Sequence, residues 1–303
     1  MQKSLTQMNL KLDRVLSDIT GVTGMLIIDA ILDGERNPLT LARLRDERCH
    51  HDEATIAKAL VGTWRVEHLF TLKQARELYR TMRRLIAECD ARIEEHLQTL
   101  ADRPVIRPVD PAGEPPRHDL PPARKKRRRK GCVAFDAQPL LEHKAGVDLT
   151  RIDGIDSNTA LTVISEIGLD MSRWPTEKHF ASWLALCPDN RESAGHRKSS
   201  KTRPSSNRAA ALRMAAQALH RSQTALGAYL RRMKAALGAP KAITATAHKL
   251  ALMIYRALKH GLHYVDPGQD WYERQYHDRV LKSLTTRALK LGYRLVPTPP
   301  APT

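Results

Sequence analysis

Apolar side chains recur at three- and four-residue steps through most of this chain, and that period predicts an all-α protein. Over residues 5–35, Leu5, Met8, Leu12, Val15, Leu16 and Ile19 mark one helical face. The pattern restarts through Met25, Ile28 and Ile31 after the turn Thr20-Gly21-Val22-Thr23-Gly24. Further on the spacing settles into heptads: Leu72, Ala75, Tyr79, Met82, Ile86, Cys89, Ile93, His96 and Leu100 alternate steps of three and four, with charge on most positions between. A seam held for about four heptads predicts one long coiled-coil helix from about Trp64. Period alone leaves open whether it pairs within the chain or between copies. Tyr79, Cys89 and His96 make it a poor zipper by itself, so assembly through it needs help from other contacts. Beyond Asp148, helices are expected at 157–168, 176–187, 206–222, 223–236, 240–260 and 269–291. Pro240 in a first turn and Gly261 past an end supply the punctuation. Leu250, Ile254, Ala257 and Leu258 read as core, and His248 beside them as a packing histidine.

The pattern fails between residues 103 and 123, where Pro104, Pro108, Pro111, Pro115, Pro116, Pro121 and Pro122 exclude helix and central strand alike. Seven consecutive cations follow: Arg124, Lys125, Lys126, Arg127, Arg128, Arg129 and Lys130. A solvated, self-repelling tail and an arm that orders along phosphates both fit such a run. The expected organisation is a helical segment with a Gly turn at 1–63, a coiled-coil arm at 64–102 and a disordered Pro-rich and basic linker at 103–147. A helical domain at 148–297 and a disordered tail at 298–303 complete it. One internal repeat is visible, since Leu16, Ile19, Gly21 and Val22 align with Leu149, Ile152, Gly154 and Ile155. Helix-hairpin-helix turns of this kind present backbone N–H groups to a DNA phosphate. Here Thr23 and Asp156 occupy the place of the usual second glycine, so simple helix packing competes with that reading.

Charge narrows the choice of partner. The chain has 303 residues, 50 Lys+Arg against 33 Asp+Glu and a formal charge of +17, which points to nucleic acid because electrostatic affinity grows with each phosphate neutralised. No stretch approaches the roughly 20 apolar residues that cross a bilayer, and the first residues lack the apolar core of a signal peptide. A cytoplasmic protein with no membrane partner is expected. Cys49, Cys89, Cys132 and Cys187 form no CxxC pair, so neither zinc nor a disulfide framework is signalled. Cys89 and Cys187 read as buried thiols. Adjacent side chains point apart, which leaves Cys49-His50-His51 a weak ligand set and predicts no metal site.

The densest chemistry lies between Asp148 and Arg213. A Gly-marked turn leads to an apolar helix ending at Cys187-Pro188, then to the loop Arg191-Glu-Ser-Ala-Gly-His-Arg-Lys-Ser-Ser200 and on into an alanine-rich helix. A serine hydroxyl among Arg, His and Lys beside a helix start suits a phosphodiester. The order of blocks carries a resemblance: Ile152-Asp-Gly-Ile155, Thr159-Ala160, Glu166-Ile-Gly168, Phe180-Ala-Ser-Trp-Leu184, Leu186-Cys-Pro188, Asn190, Ser193-Ala-Gly195, Ser200-Lys-Thr202 and Asn207-Arg208. Gly238-Ala-Pro-Lys-Ala242, Thr246-Ala-His-Lys-Leu250, Tyr255 and Leu291-Gly-Tyr293 continue it. Together these resemble the C-terminal domain of the Piv-type (IS one-ten) insertion-sequence transposases, described as RNA-guided DNA recombinases.

The resemblance implies DNA transposition, with DNA and a structured guide RNA as partners, and the heptad seam adds the expectation of a homo-oligomer joined through the coiled coil. It casts Ser193 as the nucleophile that forms a phosphoserine link. Arg191, His196, Arg197, Lys198, Lys201, Arg203 and Arg208, with the 124–130 run, would grip the nucleic acid. Ser199 and Ser200 are rivals in the same loop, and Ser-Ala-Gly stands where the family more often has Ser-Gly-Gly. The family also carries an N-terminal RuvC-like domain whose four acidic residues bind Mg2+. No β-rich stretch of this sequence carries such an acidic set, so Mg2+ is expected only with that domain. Two readings follow: a truncated recombinase inactive alone, or a non-enzymatic DNA-binding remnant or regulator that assembles with an intact transposase.

Overall fold

The computed structural model describes residues 1–105, 131–188, 191–193, 196–199, 209–261 and 266–296. It resolves into two compact units, Met1–Cys89 and Asp90–Thr303. Among the described residues the fold is all-α apart from one short hairpin, and no helix is long and apolar enough to cross a membrane.

The first unit contains α1 (Gln2–Gln7), α2 (Leu12–Val15), α3 (Val22–Leu32), α4 (Pro38–Ala42), α5 (Glu53–Ala59) and the start of α6 (Val66–Thr99). The helix expected from residue 5 to the Gly turn is interrupted earlier. Asn9 takes a φ of 60°, a conformation its short polar side chain tolerates better than most, and the Leu10 N–H returns to the Leu5 carbonyl at 2.9 Å. The kink lets Leu10 bury fully, and the chain is then tied down where Lys11 N–H donates to the Ala59 carbonyl at 2.8 Å. A second break follows Leu16, where Asp18 accepts hydrogen bonds from the Thr20 N–H and hydroxyl at 2.9 and 2.7 Å. Asn37 and Asp52 cap α4 and α5 by accepting from Leu39 N–H and Thr55 N–H, each at 3.0 Å. Ile27, Ile28 and Ile31 of α3 form the core with Leu5, Leu41, Ile56 and Leu72. Arg76 of α6 grips Asp29 of α3 through two hydrogen bonds of 2.7 Å.

The heptad seam does lie on one unbroken helix, 34 residues long. Its ends are used locally, since Leu72 is fully buried in the first unit and Leu97 joins the core of the second. Between them Leu78, Met82, Ile86 and Ile93 stand 59%, 51%, 50% and 38% exposed. Cys89, expected to be buried, is exposed on the same stretch.

The second unit adds α7 (Ala137–Ala145), α8 (Ser157–Ile167), α9 (Glu177–Trp183), β1 (Arg191–Ser193), β2 (His196–Ser199), α10 (Ala210–Ala218), α11 (Ala225–Leu237), α12 (Ala239–His260) and α13 (Gln269–Lys290). Its spine is α12, against which α9, α10 and α11 all pack. Ala242, Ala247 and Ala251 let the neighbours approach, while Leu250, Ile254 and Leu258 fill the space between. Gly261 closes the helix at a φ of 64°.

The expectation of disorder through residue 147 is overturned in part. Asp90 accepts from the Ala134 N–H at 2.9 Å, Asp136 caps α7, and Leu141, Ala145 and Val147 join the core. Lys144 is nearly buried and donates to Asp102 at 2.7 Å and to the Leu100 carbonyl at 2.5 Å. A buried ammonium is tolerable there because carbonyls at the end of α6 and a carboxylate surround it. Linker residues 106–130, with most of the prolines and all of Arg124, Lys125, Lys126, Arg127, Arg128, Arg129 and Lys130, lie outside the described residues, as does the tail from 297.

Candidate functional site

The serine segment expected as a loop is in its first half a two-stranded antiparallel hairpin. The register sets Ser193 opposite His196, Glu192 opposite Arg197 and Arg191 opposite Ser199, with an irregularity between Arg191 and Glu192. One residue of β2, Lys198, therefore has no counterpart in β1, which is the geometry of a β-bulge. The strands bring five of the candidate residues into one element: Arg191, Ser193, His196, Arg197 and Lys198. Lys201, Arg203 and Arg208 lie outside the described residues, as does Ser200.

Both roots of this segment rest on α12. On the incoming side, Ala185 takes a φ of 55° and Leu186 N–H bonds the Ala181 carbonyl at 3.1 Å. This ends α9 short of the residue 187 expected and turns Leu184 and Leu186 into the core. On the outgoing side Ala209 and Leu212 are core members. α9 is pinned by long-range contacts: the Tyr255 hydroxyl donates to the Trp174 carbonyl at 2.7 Å, and Trp174 meets Phe180 edge-on with centroids 5.0 Å apart. Arg256 donates to both oxygens of Glu177 at 2.5 and 2.8 Å.

That ion pair has a pH signature. The hydrogen bond from Arg256 holds the Glu177 carboxyl below the usual carboxylate range, against a smaller opposing effect of burial. A depressed folded-state value means the contribution is present above the unfolded value and disappears as pH falls through the folded one. Glu177→Gln should cost about 1 kcal/mol near neutrality, a modest figure because the guanidinium is half exposed. The difference from wild type should vanish in acid; unfolding curves at both pH values check it, and a gap that persists below the folded value would contradict the assignment.

Two other described groups of this unit, Cys187 and His248, are not activated. Burial pushes the Cys187 thiol up, which keeps it protonated. His248 is half-buried, and desolvation holds it below the usual histidine range despite the pull of Glu177. It stays neutral, as a packing histidine should. Among the described residues no group of three or more His, Cys, Asp or Glu is placed to hold a metal ion.

The two Gly turns differ from each other. Gly21 caps α3 with an extended backbone, φ −74°, and Thr23 is buried, accepting from the Asp46 N–H at 2.9 Å. Gly154 takes a φ of 85°, and a Cβ there would stand 3.0 Å from the Ala215 carbonyl oxygen and 3.1 Å from the Leu219 side chain. Asp156 already caps α8 by accepting from the Thr159 N–H at 2.8 Å. The turn packs α8 against α10 and carries its own anion. Gly154→Ala should therefore destabilise the unit by about 2 kcal/mol, combining left-handed strain with overpacking. A lower thermal midpoint is expected; unchanged stability with weakened nucleic-acid binding would restore the phosphate-binding reading.

Comparison with known proteins places this segment. No curated protein matches the chain. Residues 148–231, which run from the Gly154 turn through the serine hairpin into α11, match the family model described as Transposase IS116/IS110/IS902 family. Residues 148–231 of the second unit are thus similar to a domain of the IS116/IS110/IS902 family of transposases.

Proposed function

We propose that this domain supplies a serine nucleophile for DNA strand transfer, with Ser193 as the attacking residue and His196 as its base. The observation that supports it best is the backbone register, which pairs the two residues directly across the hairpin. A serine hydroxyl is a weak nucleophile at neutral pH and needs such a base beside it. In the step, the Ser193 Oγ–phosphorus bond forms as the phosphorus–oxygen bond to the adjoining nucleotide breaks. The hydroxyl proton passes to His196, and the departing oxygen takes up a proton to become a strand-end hydroxyl. Arg191, Arg197 and Lys198, with Lys201, Arg203 and Arg208, neutralise the charge growing on the phosphoryl oxygens.

DNA is the substrate in this reading. A structured guide RNA is a second polyanion that the charge of +17 accommodates, and the 124–130 cations serve as a further arm. Copies of the chain assemble through the exposed apolar stretch of α6. The experiment is to quench an active recombination reaction, digest the protein and identify the peptide that carries a nucleotide. Attachment at Ser193 is expected; attachment at Ser199 or Ser200 would reassign the nucleophile, and the absence of any adduct would defeat a covalent mechanism.

A further inference from the structure

A second cationic surface lies well outside the serine hairpin in sequence, on the C-terminal half of α13. This helix is held mainly at its start. Tyr272 is buried against Tyr229 of α11, with ring centroids 6.2 Å apart, and Arg232 of α11 pairs with Glu273 while stacking over Tyr276 at 3.4 Å. Past that anchor the sequence changes character. From Arg279 to Val296 the chain carries Arg279, Lys282, Arg287, Lys290 and Arg294 and no Asp or Glu.

Helical spacing gathers the first four of these cations with Ser283 and Thr286 along one exposed face, where they line a shallow concavity. The face runs about 16 Å at 1.5 Å per residue. Among the described residues, Arg232 and Arg256 of the last three helices are instead held in ion pairs. Lys249 of α12 adds to the crowding. Its ammonium sits 4.0 Å from the Tyr229 ring centroid, and burial, reinforced by repulsion from Arg279, holds it below the usual lysine range. Like charges at three- and four-residue spacing weaken a helix by themselves. A polyanion laid along this face removes that repulsion, and the Ser283 hydroxyl adds a hydrogen-bond donor between the two pairs of cations.

We propose that the Arg279–Lys290 face of α13 binds the phosphate backbone of a polynucleotide without reading its sequence, as a grip separate from the serine hairpin. This rests on the reading of the chain as a polynucleotide-binding protein. The concavity is lined by charge and hydroxyls, so it fits backbone contact and not base readout. The opposite side of the helix exposes Leu281 and Leu284 at 40% and 44%, a two-sided pattern that would also suit an anionic membrane surface. The large positive excess of the whole chain favours the polynucleotide.

The test compares the full chain with Arg279→Gln/Lys282→Gln/Arg287→Gln/Lys290→Gln and with a control, Lys3→Gln/Lys11→Gln/Arg14→Gln/Lys58→Gln, which removes equal charge from exposed positions of the first unit. Circular dichroism establishes that all three fold alike. Each is titrated with random-sequence duplex DNA and with a structured RNA of equal length across a series of salt concentrations. The α13 variant should bind at least about tenfold more weakly, and its slope of log affinity against log salt should be shallower by about three to four, one for each phosphate no longer neutralised. The control should stay near wild type. The arm that changes more, DNA or RNA, names the ligand. A variant that binds like wild type, or a control that weakens as much, overturns the proposal and leaves the serine reading standing. A wild-type chain that binds neither polymer defeats both. Loss of binding to phosphatidylserine vesicles with polynucleotide affinity intact would assign the face to a membrane instead.

Discussion

Ser193→Ala should abolish recombination while leaving nucleic-acid binding within about twofold of wild type. Removing the nucleophile of a covalent mechanism lowers turnover by several orders of magnitude, on the order of 10⁴-fold or more, because the remaining groups still bind but have no atom to transfer the phosphoryl group to. The assay is recombination between the ends of an insertion sequence in cells. Electrophoretic mobility shifts on the purified protein report binding alongside it. His196→Gln separates base from grip: it should slow the reaction by about 10²–10⁴-fold and shift the pH profile, whereas removal of a merely gripping cation would weaken binding and leave that profile unmoved. Equal loss of binding and recombination in the Ser193 variant would assign the hydroxyl to holding DNA.

The second large effect concerns assembly. Met82→Glu/Ile86→Glu should dissociate copies of the chain. Both positions are about half exposed in the single chain (51% and 50%), yet they sit mid-seam on a helix with Leu78 and Ile93 in line. Covering such a side chain contributes about 1.5–3 kcal/mol, so losing two and placing charge in the seam should weaken association at least 100-fold, by about 3 kcal/mol or more. Sedimentation velocity over a concentration series reads this directly. Identical sedimentation of wild type and variant would rule out a self-association role. Arg76 and Asp29 hold the helix to the first unit from a different face, so the variant should keep its helical content and thermal midpoint.

Much of the fold was legible because its signals are local. The helices of the second unit fall close to the positions that period and punctuation set, since Pro240, Gly261 and the apolar steps of α12 act over a single turn. α4 and α5 were equally available, in Asn37-Pro38 and in Asp52 ahead of Glu53, and were passed over because their apolar runs are too short to show a period. The kink at Asn9 was hidden because its cause, the burial of Leu10 beneath contacts from residues near 60, is long-range. α7 was obscured by composition, as prolines and cations colour the whole region while an ordered helix begins at Ala137.

For the candidate site, the residue types were legible and the geometry was not. Serine amid Arg, His and Lys led to the expectation of phosphate chemistry, but loops and short hairpins share that composition, so the register that sets Ser193 opposite His196 was not legible. Tyr255 and Arg256, which seat α9 through Trp174 and Glu177, lie about 80 residues away along the chain. No local pattern reveals such partners. The basic face of α13 was present in the letters as ordinary helix surface, and it stood out only once the helix proved to be anchored at one end.

The carboxylate at position 156 sets the charge of the turn that it caps. Exchange of one oxygen for an amide, Asp156→Asn, preserves the cap on α8 but lifts the negative guard from its amino end. A single-codon change would therefore remove the negative charge from this turn while keeping the hydrogen bond that starts α8.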